Sequence, residues 1–319
     1  MRVLSARGGS FRVEELAKRD PGRGEVRVGV RSAAVNPADY KVRSGRLAGR
    51  VLHASTAPLV LGYDFSGTVE KVGEGVTDVS VGEDVFGHLP YSPMNDQGTF
   101  AESVVVRADS IARKPRRVSH ETAAAAATAG LAALQALRDD ARVRAGHRVM
   151  IIGAAGGVGS LGVGVAKKLG AHVTAVCSAS AVDFVKRLGA DEVVDLDRDD
   201  PLAHPRRFDA VFDTPAAHSF AACRHLLVRR GTYVTTLLSA PYVAGKLLSL
   251  LSSKRCELLM VKPVRADLEL LAHWLEDGLH VEIAERHPVR EAGRAVESMA
   301  QRDHTGRLGR VAIAVAEGW

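Results

Sequence analysis

Between Arg148 and Gly170 the chain reads RVMIIGAAGGVGSLGVGVAKKLG, and this stretch constrains the fold more than any other. Val149–Ile152 is short and apolar, as a buried strand is, while Val163, Ala166 and Leu169 fall on one face of a following helix. Between them Ala154–Gly159 spells A-x-G-x-x-G. Glycines at this spacing let the backbone turn tightly and approach a pyrophosphate, with the helix N-terminus facing its charge. A glycine-rich turn can also join a strand to a helix for steric reasons alone. About twenty residues on, however, His172–Cys177 supplies the second strand that a βαβ nucleotide-binding unit requires. The stretch therefore predicts a dinucleotide cradle built from Gly153, Ala154, Ala155, Gly156, Gly157, Val158 and Gly159.

The pattern continues on both sides. Strands are expected at His172–Val176, Glu192–Asp195, Ala210–Asp213, Thr232–Thr235 and Glu257–Val261, with helices or loops between them, and this alternation favours a doubly wound parallel sheet in an α/β chain. Asp267–Asp277 and Arg290–Gln301 read as helices and Val311–Val315 as a last strand. The first hundred residues differ. Val3–Leu4, Phe11–Glu14 and Val26–Ala34 are short strand signals between Gly- and Pro-bearing turns, so the chain begins β-rich. His120–Leu137 is an Ala-rich helical stretch in which Gly130 marks a candidate break.

A length of 319 residues allows about two domains, and nothing in it spans a membrane: the most apolar late segment, Leu237–Leu251, is short and interrupted by Lys246, so it reads as a buried or subunit-contact helix. Three widely separated cysteines argue against a disulfide framework and for a reducing cytoplasm. The net charge of +6 is scattered rather than gathered, and aromatic residues make up only 5% of the chain, so neither a nucleic-acid surface nor a stacking platform is indicated.

In order along the chain stand VNPADYKVRSG, LGYDFSG, VGEGV with VGEDVFG, GTFAE, GLAALQAL, GAAGGVGS, FDAVFDT, GTYVTTL and GRLGRVAI. Together they resemble the medium-chain dehydrogenase/reductases, and most of all their zinc-independent quinone oxidoreductase branch. The resemblance implies a GroES-like catalytic domain over 1–118, a Rossmann domain binding NADP over 119–278, and a return of 279–319 into the first domain. It also implies a cleft between the two for cofactor and substrate, Thr128 among the cofactor contacts, and a homodimer.

Zinc-dependent relatives hold their metal with Cys and a His-Glu pair, where this chain has Asn36, Tyr63 and Asp64, so no metal is expected. His53, His88 and His120 are expected to be surface or structural residues, with the alternative that one of them lines the cleft. For the dinucleotide, NAD-selective domains place an acid after the second strand, whereas this chain has Cys177 and Ser178, which favours NADPH. Relatives carry helpful side chains where Ala181 and Leu196 stand here, so Lys186, Arg198 and Arg307 are the candidates for the 2′-phosphate.

The chemistry expected is hydride transfer from NADPH to a small electrophile, a quinone or an α,β-unsaturated carbonyl. Asn36 is the candidate beside the nicotinamide, able to donate to a substrate oxygen or fix the ring, and Asp39 is expected to hold its loop. Lys41 is the first choice to meet developing negative charge and to touch the cofactor, with Tyr40 and Tyr63 as other donors. Two alternatives stay open: an enoyl-thioester reductase of fatty-acid or polyketide metabolism, and a non-catalytic nucleotide-binding protein of the same fold.

Overall fold

The computed structural model describes residues 1–7, 10–45, 47–54, 57–301 and 308–319. Arg307, a candidate phosphate contact, lies outside the described residues. Six parallel strands form one sheet in the order Glu192–Asp195, His172–Cys177, Arg148–Ile152, Phe208–Asp213, Leu227–Thr235 and Arg255–Leu258. The order reverses direction beside Arg148–Ile152, which is where open α/β sheets leave a crevice at their strand ends. Val149, Met150, Ile151 and Ile152 are buried, as a central parallel strand covered on both faces must be.

Two strand boundaries depart from expectation for a shared reason. The ladder between Phe208–Asp213 and its neighbour shifts register between Phe208 and Ala210, and Arg230 takes a left-handed φ of 68°. Leu227–Thr235 is thus a bulged strand of which only Thr232–Thr235 carries the regular pattern. That regular part pairs Thr232 with Arg255 and Thr235 with Leu258, so the last strand sits earlier than the expected Glu257–Val261.

The β-rich part forms a seven-stranded sheet, ordered Ile283–Pro288, Arg310–Ala314, Glu25–Ala34, Asp64–Val72, Asp84–His88 and Ile111–Arg113, with Ser103–Arg107 also paired to Glu25–Ala34. Ala312 faces Ala34 in this ladder, so the C-terminal strand returns to the N-terminal sheet. A helix over Pro37–Arg43, unmarked by apolar periodicity, begins with proline at its first turn; the Asn36 amide N–H donates to Asp39 Oδ2 at 2.7 Å.

Between the two sheets runs the helix His120–Leu134, capped by Ser119 and buried from Ala123 to Leu134. Its alanines allow close approach on every side, to the strands of the seven-stranded sheet and to the helix Gly157–Lys168. Gly130 does not break it: a Cβ there would lie 3.0 Å from Leu271 Cδ1, so the glycine admits a neighbouring helix. Leu237–Leu251, expected as a buried or a subunit-contact helix, narrows to the second of these. Its helix, Ala240–Leu250, buries only Gly245, leaving Leu238, Leu247, Leu250 and Leu251 exposed by 68%, 62%, 74% and 88%. A buried helix is excluded.

Candidate active site

The glycine loop joins Arg148–Ile152 to the twelve-residue helix Gly157–Lys168. Gly153 turns with φ 74°, and a Cβ on Gly159 would sit 2.1 Å from the Gly153 carbonyl oxygen, so both glycines are required by the turn itself. Gly156 is different. It has an ordinary φ of −74°, and a Cβ there would meet only the Gly153 oxygen at 3.4 Å. The protein's own packing does not need this glycine, and no side chain caps the helix that follows. Open space in front of uncapped helix amides fits a dinucleotide pyrophosphate.

The C-terminal strand reaches this loop. Gly309 N–H donates to Ala155 O at 2.9 Å, and Arg310 packs so closely over Gly157 that a Cβ there would lie 2.9 Å from Arg310 Cδ. The Arg310 guanidinium then reaches the seven-stranded sheet and the helix His120–Leu134, donating to Asp64 Oδ2 at 2.6 Å, Asn36 Oδ1 at 3.1 Å and Ala125 O at 2.9 Å. Asp64 also accepts from Asn36 Nδ2 at 2.9 Å, from the Thr128 backbone N–H at 2.8 Å and from the Thr128 hydroxyl. Burial pushes the Asp64 carboxyl up, and Arg310, Thr128 and Asn36 hold part of that rise back.

His88 completes the network, with Nδ1 2.7 Å from Thr128 Oγ1. Because that hydroxyl donates to Asp64, Nδ1 carries the proton and Nε2 is left as a buried acceptor with no partner among the described residues. Burial lowers the His88 pKa to about 3, so the ring is neutral. Thr128 thus has its hydroxyl engaged on both sides. Asn36 keeps one amide hydrogen after the bond to Asp64.

The expected donors separate. Tyr63 is fully buried, its hydroxyl 3.3 Å from both His53 Nδ1 and Leu52 O. Tyr40 is 37% exposed on the helix surface. Lys41 is half-buried, has no hydrogen-bond or ion partner among the described residues, and has its pKa lowered by burial. Asp39 accepts from the Asn36 and Gly62 amides, and burial pushes its carboxyl up to about 7. Sequence reasoning passed over Tyr91, whose ring centre lies 4.7 Å from both Tyr63 and His88. It also gave no role to Arg310, whose one signal was an arginine opening the apolar strand VAIAV.

At the adenosine end, Cys177 is buried and its thiol is pushed up to about 11 by burial and by Asp195 and Asp197. The Ser178 hydroxyl pairs with Ser180 at 3.1 Å. Lys186 is exposed in the last turn of the helix Val182–Arg187. Arg198 is on the same side as Ser178, its Nε 3.7 Å from Asp195 Oδ2.

A zinc ion does not fit the residues present. Asp64 is bonded to a guanidinium, an amide and a hydroxyl, Asn36 Oδ1 accepts from the same guanidinium, and Tyr63 brings a phenol rather than an imidazole. Where a dication would need free anionic or soft donors, this chain places the cation of Arg310.

Residues 22–116 match the alcohol dehydrogenase GroES-like domain family, and residues 188–308 the zinc-binding dehydrogenase family. The chain is 32% identical to the trans-enoyl reductase pgmF of Aspergillus terreus, over 92% of this chain and 87% of that one. It belongs to the medium-chain dehydrogenase/reductase superfamily. Among solved members, the quinone oxidoreductase from Coxiella burnetii superposes with a TM-score of 0.84 at 28% identity, covering 98% of both chains. The mouse mitochondrial NAD(P)H oxidoreductase RTN4IP1 is 36% identical over 66% of this chain, which spans 57% of the length of that relative. The superfamily's oxidoreductases use a nicotinamide cofactor, and the glycine loop described above is where this chain would hold it.

Proposed function

We propose that this protein is a zinc-independent oxidoreductase that uses NADPH to reduce a quinone or an α,β-unsaturated carbonyl. The observation that carries the reading is Arg310, which packs on the glycine loop with its stem and bonds Asn36 and Asp64 with its head, so that loop and polar cluster border one cleft. The loop from Gly153 to Gly159 holds the pyrophosphate, and Ser178 faces the adenosine ribose. When bound, the reduced nicotinamide supplies a hydride.

Asn36 directs its remaining amide hydrogen at the substrate oxygen or the cofactor ring, and the network of Asp64, Thr128, His88 and Arg310 fixes its orientation. Lys41, unpaired and partly desolvated, meets the negative charge that grows on the acceptor oxygen and can release a proton to it. Tyr91 walls the cleft and excludes water with Tyr63 packed against it, and Asp39 holds Asn36 at the start of the helix that carries Lys41.

Several coarser features belong to the same reading: a catalytic domain over 1–118, a cofactor domain over 119–278 and a returning segment over 279–319, in a cytoplasmic homodimer. The dimer is supported by the exposed leucines of Ala240–Leu250 beside the edge strand Arg255–Leu258. A monomer in sedimentation equilibrium would remove it. No described helix is long and apolar enough to cross a membrane. NADPH oxidation is followed with a panel of quinones, enones and enoyl-thioesters. Turnover of quinones or enones supports the reading, thioester turnover alone favours an enoyl-thioester reductase, and dinucleotide binding without any oxidation would leave a non-catalytic protein.

A further inference from the structure

The position after the second strand of a dinucleotide-binding sheet normally carries the acid that accepts from the ribose hydroxyls, and here it carries Ser178. The neighbouring strand restores a carboxylate to that corner. Cys177 is in register with Asp195, and Leu196 N–H donates to Cys177 O at 2.9 Å, so the turn after Glu192–Asp195 lies against the residues that follow Cys177. Asp197 Oδ2 accepts from the Ala179 N–H at 3.0 Å, one residue beyond Ser178.

The two acids of this turn are not equivalent. Asp195 is engaged, accepting from the Asp197 N–H at 3.0 Å and lying 3.7 Å from Arg198. Asp197 is bonded through one oxygen, and the other has no partner among the described residues. Both carboxylates raise the Cys177 thiol, so their field reaches the end of the second strand. Of the basic candidates among the described residues, Lys186 stands in the last turn of its helix, and the charge of Arg198, whose side chain is 82% exposed, is offset by Asp195.

We propose that Asp197 is a determinant of dinucleotide choice, a carboxylate at the 2′ corner that limits the preference for NADPH and keeps NADH usable. The inference rests on the reading of the cleft as a dinucleotide site and deepens it. A ribose 2′-hydroxyl can donate to a carboxylate, whereas a 2′-phosphate brings only acceptors and a charge of about −1.5 to −2. Ser178 alone would select for the phosphate; Asp197 opposes it through charge, delivered from the third strand and so invisible to a rule that reads only the residue after the second.

The test is equilibrium binding of NADPH and NADH, by titration calorimetry, to the wild-type chain and to Asp197→Asn. Asparagine keeps an oxygen to accept from the Ala179 N–H, so the turn is preserved while the charge is lost. The ratio of the two dissociation constants is expected to shift about five- to tenfold towards NADPH in low salt, and by much less in 1 M salt, where screening acts within about 3 Å. A ratio changed by less than about twofold, or equal shifts for both dinucleotides, would overturn the assignment. Failure of the wild type to bind either dinucleotide is a separate result that removes the site reading and this inference with it.

Discussion

Replacing Arg310 with methionine probes the link between the two halves of the site. The guanidinium is 3% exposed and supplies two of the bonds that hold Asp64 and Asn36 in place. Its removal leaves the Asp64 carboxylate fully buried with Thr128 and Asn36 as its only donors, and breaking a buried ion pair on one side typically costs about 3–5 kcal/mol. The size of the loss depends on pH. Without Arg310 the Asp64 carboxyl rises further above its unfolded value, so the stability that Asp64 contributes in the variant is fully present below about pH 4 and is lost as pH climbs through the raised value. Urea unfolding of the wild type, Arg310→Met, Asp64→Asn and the double variant, at pH 5 and pH 8, gives the cycle. The expected deficit of Arg310→Met is larger at pH 8, and the double variant should recover about 2 kcal/mol relative to the sum of the singles. A deficit under about 1 kcal/mol at pH 8, or one independent of pH, refutes the network as described.

Three further outcomes follow from the geometry. Gly159→Ala drives a methyl group into the Gly153 carbonyl, 2.1 Å away, so dinucleotide affinity measured by fluorescence should fall by about a hundredfold or more. Asn36→Ala and Lys41→Ala should each lower turnover roughly ten- to a thousandfold while leaving NADPH affinity nearly intact, and unchanged turnover in both would remove these residues from the mechanism. His88 is neutral in the fold with a pKa near 3 against an ordinary value of 6.5; its stabilisation is therefore complete above pH 6.5 and lost as pH falls towards 3. His88→Asn keeps a donor for Thr128, and the gap between wild-type and variant stability should narrow by about 2 kcal/mol from pH 7.5 to pH 5 in matched denaturant titrations.

The parallel sheet was legible because its strands are continuous apolar runs and its turn needs Gly153 and Gly159 for steric reasons that any such turn shares. The return of the C-terminus was legible only through resemblance, since the pairing of Ala312 with Ala34 joins residues nearly the whole chain apart. The helix Pro37–Arg43 has no apolar period to announce it; it is held by Asp39 and by packing. Asn36 and Lys41 were found because a motif surrounds them, whereas Arg310, His88 and Tyr91 act through partners on other strands, which spacing does not encode. Leu237–Leu251 was legible only in part: hydropathy gave an apolar helix but did not choose between a buried and an exposed, subunit-contact position.

The central claim is that hydride passes from a nicotinamide to an electron-poor acceptor without a metal. It is tested most directly with NADPH carrying deuterium at the transferred C4 position, an enone or quinone acceptor, and protein of measured metal content treated with a chelator. Mass spectrometry of an enone product should show one deuterium on the carbon β to the carbonyl, and NADPH oxidation should be slowed by the label and unaffected by chelation. Product without the label at that carbon, or activity that disappears with the chelator and returns with zinc, would contradict the account.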